Sequence, residues 1–242
     1  PEGARAMSSG SLVVLIGGTE AGEVRRDRSG RLRFVYAEAF RRRDEAVHLS
    51  LSMPVAGDAY GHAAVDAYLW GLLPDNAYVL ERWGQRLQVS PRNAFGLLAH
   101  VGEECAGSVQ LVRPERVAAA VGDGPIEVAW LDEAQVAARL RALRLDQSAW
   151  RSPSDAGQFS LAGAQPKTAF LGVDGRFGVP SGRTPTTHIL KPPHRDVPGH
   201  VENEHVCLRL ARALGLTAAH SEVRRFDGEV AIVVERYDRV VT

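Results

Sequence analysis

From Ser11 to Tyr36 the apolar residues come in short runs broken by glycine and charge: LVVLI, then GGTEAG, EVRRD, RSG and RLRFVY. Runs of this length with turn residues between them predict strand, turn, strand, turn, strand, an antiparallel meander. Gly17, Gly18 and Gly22 are assigned to hairpin turns, because no helical periodicity follows them to open a dinucleotide-binding loop. The period then lengthens. Ala63 to Leu87 carries two helical stretches separated at Pro74, and NAFGLLAHVG carries a third. In DEAQVAARLRALRL, Val136, Leu140 and Leu143 recur at helical spacing behind Asp132, which is placed to cap that helix.

Beyond Gln147 the texture changes. RSPSDAGQ is a turn-rich start, FSLAG begins a strand into a loop, KTAFLGV returns as a strand, and DGRFGVP turns again. TTHILKP is a strand, VENEHVCLRLARALGL a helix ending at Gly215, and HSEVRRFDGEVAIVVERYD a hairpin with Asp227 and Gly228 at its tip. The fold class is therefore α+β. Four segments are expected: an extension over 1–10, a strand-and-helix subdomain over 11–117, a connecting helical segment over 118–150, and a second sheet-and-helix unit over 151–242. VAIVVERYD, near the chain end, is expected to form a hydrophobic sheet edge left unpaired.

Composition narrows the functional classes. The 242 residues are 45% hydrophobic, enough to bury a core in one large or two modest domains. Lys plus Arg equals Asp plus Glu at 29 each, so no global field attracts nucleic acid or an acidic membrane. The basic clusters RRDRSGRLR and FRRRDE alternate with acids and read as solvated strand and turn faces. Cys105 and Cys207 have no metal-ligand spacing and are expected to be buried thiols of a reducing cytosol. No apolar run is long enough to span a bilayer, so a cytoplasmic protein without a membrane partner is the expectation.

The chemistry concentrates in FSLAGAQPKTAFL and in the strand and helix C-terminal to it. Ala162, Gly163 and Ala164 leave the backbone bare, so its N–H groups can reach phosphate oxygens. Lys191, ending HILK, would add a cation to the same phosphates, and a helical glutamate, Glu204 or Glu202, would fix that lysine as in the protein kinase lysine–glutamate pair. HRDVPGHVEN offers the His-Arg-Asp of a kinase catalytic loop, but its asparagine comes seven residues after Asp196 where five are wanted, so His194 to His200 is read as a surface loop. The spacing of His200, Glu202 and His205 suits no common metal site.

Seven stretches, in order, resemble the HipA toxins, serine/threonine kinases of bacterial toxin–antitoxin pairs: LSLSMPV, LWGLLPDN, FGLLAHVGEECAGSVQL, FSLAGAQPKTAFL, TPTTHILKP, ENEHVCLRLARALGL and VVERYDR. The resemblance implies a HipA N-terminal subdomain followed by a kinase-like N-lobe, with ATP and Mg2+ as cofactors. It implies that the loop with Ala162, Gly163, Ala164, Gln165 and Lys167 lies over the ATP phosphates and that Ser160 is an autophosphorylation site. Phosphate there, at roughly two negative charges, would favour an ejected loop and inactivation. Lys191 matches the ATP-contacting lysine, Asn203 and Glu204 favour Glu204 as its partner, and VVERYDR matches the hinge. Glu235 and Tyr237 would meet adenine there, and Asp238 ribose.

The implied partners are a DNA-binding antitoxin of the HipB type, with DNA reached only through it, and an aminoacyl-tRNA synthetase as protein substrate. The family's catalytic and metal-binding residues lie beyond the hinge and have no counterpart here, since the sequence ends three residues after Arg239. No catalytic and no metal residue is therefore assigned, and this chain alone is expected not to turn over. The alternative is a non-catalytic binding module that regulates a separate kinase or antitoxin. An unpaired edge at VAIVVERYD would favour the fragment over the module.

Overall fold

The computed structural model describes residues 10–122, 127–150, 160–181, 184–194 and 196–239. The expected extension at 1–10 lies, apart from Gly10, outside the described residues. The chain divides into two compact units. One draws on Pro1–Asp75, Trp83–Asp123 and Gln158–Ala162, the other on Asn76–Arg82, Gly124–Gly157 and Gly163–Thr242.

The first unit begins with the meander β1 (Gly10–Ile16), β2 (Thr19–Arg26) and β3 (Leu32–Tyr36), followed by α1 (Glu38–Arg41), the two-residue β4 (Ala59–Tyr60) and α2 (His62–Trp70). Next come α3 (Ala77–Leu87), which contributes to both units, then α4 (Ala94–Val101), β5 (Val109–Val112) and α5 (Val117–Val121). The sheet order is β4-β3-β2-β1-β5, with every pairing antiparallel. Gly17 and Gly18 turn the first hairpin with φ of 56° and 74°, the left-handed pair that a two-residue turn needs. Gly22 differs from expectation: it lies inside β2, where a Cβ would overlap the Val35 carbonyl oxygen on β3. It serves close strand approach rather than a turn.

Phe34, Val65, Leu69, Leu97 and Leu98 are buried in this unit, while Leu15, Val112 and Ala120 form a cluster with Val13 and Val117. The buried Tyr36 hydroxyl donates to the Met53 carbonyl at 2.6 Å and accepts from the Leu49 amide at 2.7 Å, fastening the irregular chain between α1 and β4.

The second unit contains β6 (Val128–Leu131), α6 (Glu133–Leu145), β7 (Thr168–Val173), β8 (Arg176–Pro180), β9 (His188–Lys191), α7 (His200–Ala213), β10 (Ser221–Phe226) and β11 (Glu229–Glu235). Its antiparallel sheet runs β10-β11-β9-β7-β8-β6. Asp132 caps α6 in a reciprocal box with Gln135. Val136, Ala137 and Leu140 then pack on Phe170, Phe177, Val179, Leu190, Phe226, Ala231 and Val233. Because side chains alternate along a strand, Leu190 faces α6 and Lys191 the opposite side, toward α7. On α7, Val201 is buried, whereas Val206 and Leu210, and Leu214 just past its end, are exposed.

Four sequence expectations need correction here. β11 is not an edge: β10 and β9 pair with it on either side, so two flanking ladders satisfy its backbone. VAIVVERYD therefore offers no unpaired edge to speak for a missing lobe. The stretch DGRFGVP turns only at Asp174 and Gly175, with φ of 50° and 75°, and its remainder is β8. Ser160 to Gly163 forms no strand, while Phe159 lies outside the described residues. Cys105 is buried but Cys207 is exposed on α7. Among the described residues, no helix is long and apolar enough to cross a membrane.

Candidate functional site

Lys191 closes β9 in register with Ile232 of β11, and its ammonium lies 2.5 Å from Glu204 Oε1 on α7. Both side chains are mostly buried, at 17% and 25% exposure, so solvent screens the pair less than it would on an open surface. Glu202, the other candidate, is exposed in the first turn of α7. There its charge suits the positive end of the helix dipole. Gly199 precedes the helix, and its φ of 72° admits the entry from the proline-containing loop.

His200 heads α7 and is only 8% exposed, so the loop expected at the surface ends in a buried ring. Its Nδ1 accepts the His194 amide at 3.0 Å, which leaves the proton of the neutral ring on Nε2. Among the described residues, that Nε2 and Glu204 Oε2 are buried without a hydrogen-bond partner. Burial pushes the His200 pKa down; Glu204 opposes the shift, while His194 and Lys191 add to it. Among the described residues, no group of three or more His, Cys, Asp or Glu could hold a metal ion.

The small-residue loop reaches the same end of the sheet. Thr168 pairs with Leu190, so the chain ahead of β7 arrives beside the Lys191 end of β9. Gly163 has φ of 101°, a conformation that strains any other residue. Its carbonyl accepts a hydrogen bond from Lys167 Nζ at 3.2 Å, which closes the loop. Ala162 and Gly163 are half-buried, and Ala164 and Gln165 are exposed. Ser160 belongs to the first unit and is fully buried, its hydroxyl donating to the Leu72 carbonyl at 2.6 Å and its amide to the Glu104 carbonyl at 2.8 Å.

The hinge residues lie further along the sheet. Glu235 pairs with His188, three positions from the Lys191–Ile232 pair, or about 10 Å along the strands. Glu235 and Tyr237 are exposed. The Asp238 carboxylate accepts Arg236 Nε at 3.0 Å, Arg236 Nη2 at 2.8 Å and Arg239 Nη1 at 3.0 Å. Arg236 also donates from Nη1 to the buried Thr186 hydroxyl and from its amide to the Thr187 carbonyl. Sequence reasoning assigned no role of this kind to Arg236, Thr186 or His200, although Arg236 lies inside VVERYDR, Thr186 inside TPTTHILKP, and His200 ended the expected surface loop. Two clefts, one lined by Arg31 and Tyr60 and the other by Trp130 and Arg176, contain none of the expected site residues.

Comparison with known proteins adds the context for this arrangement. Residues 12–112 match the HipA N-terminal domain and residues 159–242 the HipA-like C-terminal domain. "Putative kinase Y4mE" of Sinorhizobium fredii is 37% identical over 92% of this chain and 52% of its own length. "Serine/threonine-protein kinase toxin HipA" of Shewanella oneidensis is 29% identical over 79% of this chain and 42% of its own. The chain thus spans about half the length of these curated relatives. HipA in the solved complex of Shewanella oneidensis HipA, HipB and operator DNA shares the fold, with a TM-score of 0.74 at 24% identity over 96% of this chain and 51% of that one. With two HipA domain models matching in order and kinases as relatives, the chain belongs to the HipA-like kinase family.

Proposed function

We propose that this chain is the N-terminal portion of an ATP- and Mg2+-dependent serine/threonine protein kinase toxin whose activity is switched off by phosphorylation at Ser160. The observation that carries this reading is the Lys191–Glu204 pair set beside the small-residue loop at one end of a sheet. In that arrangement Lys191 meets the nucleotide phosphates, Glu204 holds it in place, and the amides of Ala162 to Gln165 approach the phosphate oxygens. Lys167 keeps the loop closed through Gly163. Adenine lies toward Glu235 and Tyr237, and Asp238 supports the hinge through Arg236.

Mg2+, when bound, would neutralise phosphate charge, but this chain's described residues offer no cluster to hold it. The chain alone is proposed not to turn over. Phosphate on Ser160 cannot coexist with its donor bond to Leu72 inside a fully buried site, so modification would displace the segment. A HipB-type DNA-binding antitoxin is the proposed partner, with DNA contacted only through it, and an aminoacyl-tRNA synthetase the proposed substrate. The protein is proposed to act in the cytoplasm.

The test is an amide-resolved NMR titration of the chain with MgATP. Shifts confined to residues 162–167, 191, 204 and 235–238, weakened by Lys191→Met, are expected. Shifts that cluster elsewhere, or are indifferent to Lys191, would overturn the reading.

A further inference from the structure

The basic cluster near the second hairpin, read from sequence as a solvated face, has a different character in three dimensions. Arg25 of β2 and Arg33 of β3 stand directly opposite in register, and Arg31, just ahead of β3, lines the same cleft as both. Like charges directly opposed across a ladder repel. Asp27 lies within electrostatic reach of Arg31, yet both nearby acids are already engaged. Glu23 is occupied by Arg25 at 2.6 Å. Asp27 turns Oδ1 onto its own hairpin, accepting the Ser29 hydroxyl at 2.6 Å and the amides of Ser29 and Arg31 at 2.8 and 3.0 Å. Arg31 and Arg33 make no ion pair or side-chain hydrogen bond among the described residues, so their guanidinium donors are unspent.

These arginines line a cleft of about 470 Å³ together with Asp27, Tyr60 and His62. Counting Glu23 and Asp27 against Arg25, Arg31 and Arg33, the surroundings keep a net positive charge with His62 neutral. His62 Nδ1 accepts the Leu32 amide at 3.4 Å, which places its remaining N–H on Nε2. The start of α2 adds to this polarity, since Gly61 supplies no side-chain cap and the first turn carries no acid. The Tyr60 ring is tethered by its hydroxyl to the Pro54 carbonyl and gives the cleft a fixed apolar wall.

We propose that this cleft is a binding site for a small phosphate monoester or diphosphate, held by Arg31 and Arg33, with its organic body against Tyr60. A guanidinium suits this ligand because its planar donors match phosphate oxygens in pairs. The volume exceeds that of a bare phosphate and falls within the range of small-molecule pockets. A nucleic-acid strand would instead need an extended positive track, which the overall balance of 29 cations against 29 anions does not suggest. The site lies wholly in the first unit and is independent of the nucleotide site proposed above.

An amide-resolved NMR titration with pyrophosphate, inorganic phosphate and a short single-stranded oligodeoxynucleotide tests this. Saturable pyrophosphate shifts are expected at Arg31 to Arg33 and His62 to Ala64, distinguishable by position from any at residues 162–167. Arg31→Gln/Arg33→Gln, which keeps both side chains polar at exposed positions, should weaken binding at least tenfold, and Arg225→Gln should leave it unchanged. Absence of saturable shifts at this cleft, affinity that survives the double substitution, or tighter binding of the oligonucleotide than of pyrophosphate would each overturn the proposal.

Discussion

Arg236 grips Asp238 through two nearly parallel hydrogen bonds, Nε to Oδ1 at 3.0 Å and Nη2 to Oδ2 at 2.8 Å, although only one residue separates them. The guanidinium is almost fully buried and spans from Asp238 to Thr186, so the chain leaving β11 is tied to the chain entering β9. Asp238→Ala would strand a buried cation and is expected to destabilise the second unit by about 3 kcal/mol. Urea denaturation checks the value, and Asp238→Asn should recover part of the loss.

Lys191 and Glu204 should separate stability from binding. Their pair is mostly buried, so Lys191→Met leaves the Glu204 carboxylate without its cation and is expected to cost about 1–3 kcal/mol of folding stability. Nucleotide shifts at residues 162–167 should fall by an order of magnitude or more in the same variant. Glu204→Gln, which keeps the shape but not the charge, should give a smaller loss in the titration.

Ser160 presents a different kind of test. Its hydroxyl satisfies the Leu72 carbonyl inside the first unit, so Ser160→Ala should cost about 1–2 kcal/mol. Ser160→Asp places a charge at a position with no exposure and should open the segment outright. Hydrogen exchange at the amides of Ser160 and Leu161 should rise far more in the aspartate variant than in the alanine variant.

Stability should also fall on mild acidification. Burial is the main cause that lowers the pKa of His100, His188 and His200; Arg113 adds to it at His100, while Glu235 and Glu222 oppose it at His188. The fold therefore favours neutral rings, whereas the unfolded chain takes up protons near pH 6.5. The contribution is complete above that pH and is lost as pH drops through the lowered folded values. Denaturant midpoints between pH 7.5 and 5 should decline, and His200→Gln should flatten the slope.

Much of the architecture was legible because local and tertiary signals agree. Asp132, Gln135 and the Val136, Leu140 and Leu143 stripe announce α6, and the cap and the buried face are both formed. Asp227 and Gly228, with φ of 40° and 85°, mark the last hairpin in the same way. The failures occur where glycine answers to a neighbouring strand rather than to a turn. Gly178 lies inside β8, where a Cβ would press on Val128 and Trp130 of β6, and so hid β8. At the candidate site, the residues alone left Glu202 and Glu204 open as partners of Lys191; the resemblance at Asn203 and Glu204 favoured Glu204, and the pair is formed there. The roles of Arg236 and His200 depend on burial, which the spacing of charged residues does not encode.

The two thiols are unequal in a way that experimenters can use. Cys105 is inaccessible, whereas Cys207 stands in the open on α7, three residues beyond Glu204. A maleimide dye added to the unaltered protein should therefore attach at one place, giving a fluorescent reporter on the helix that carries the lysine's partner.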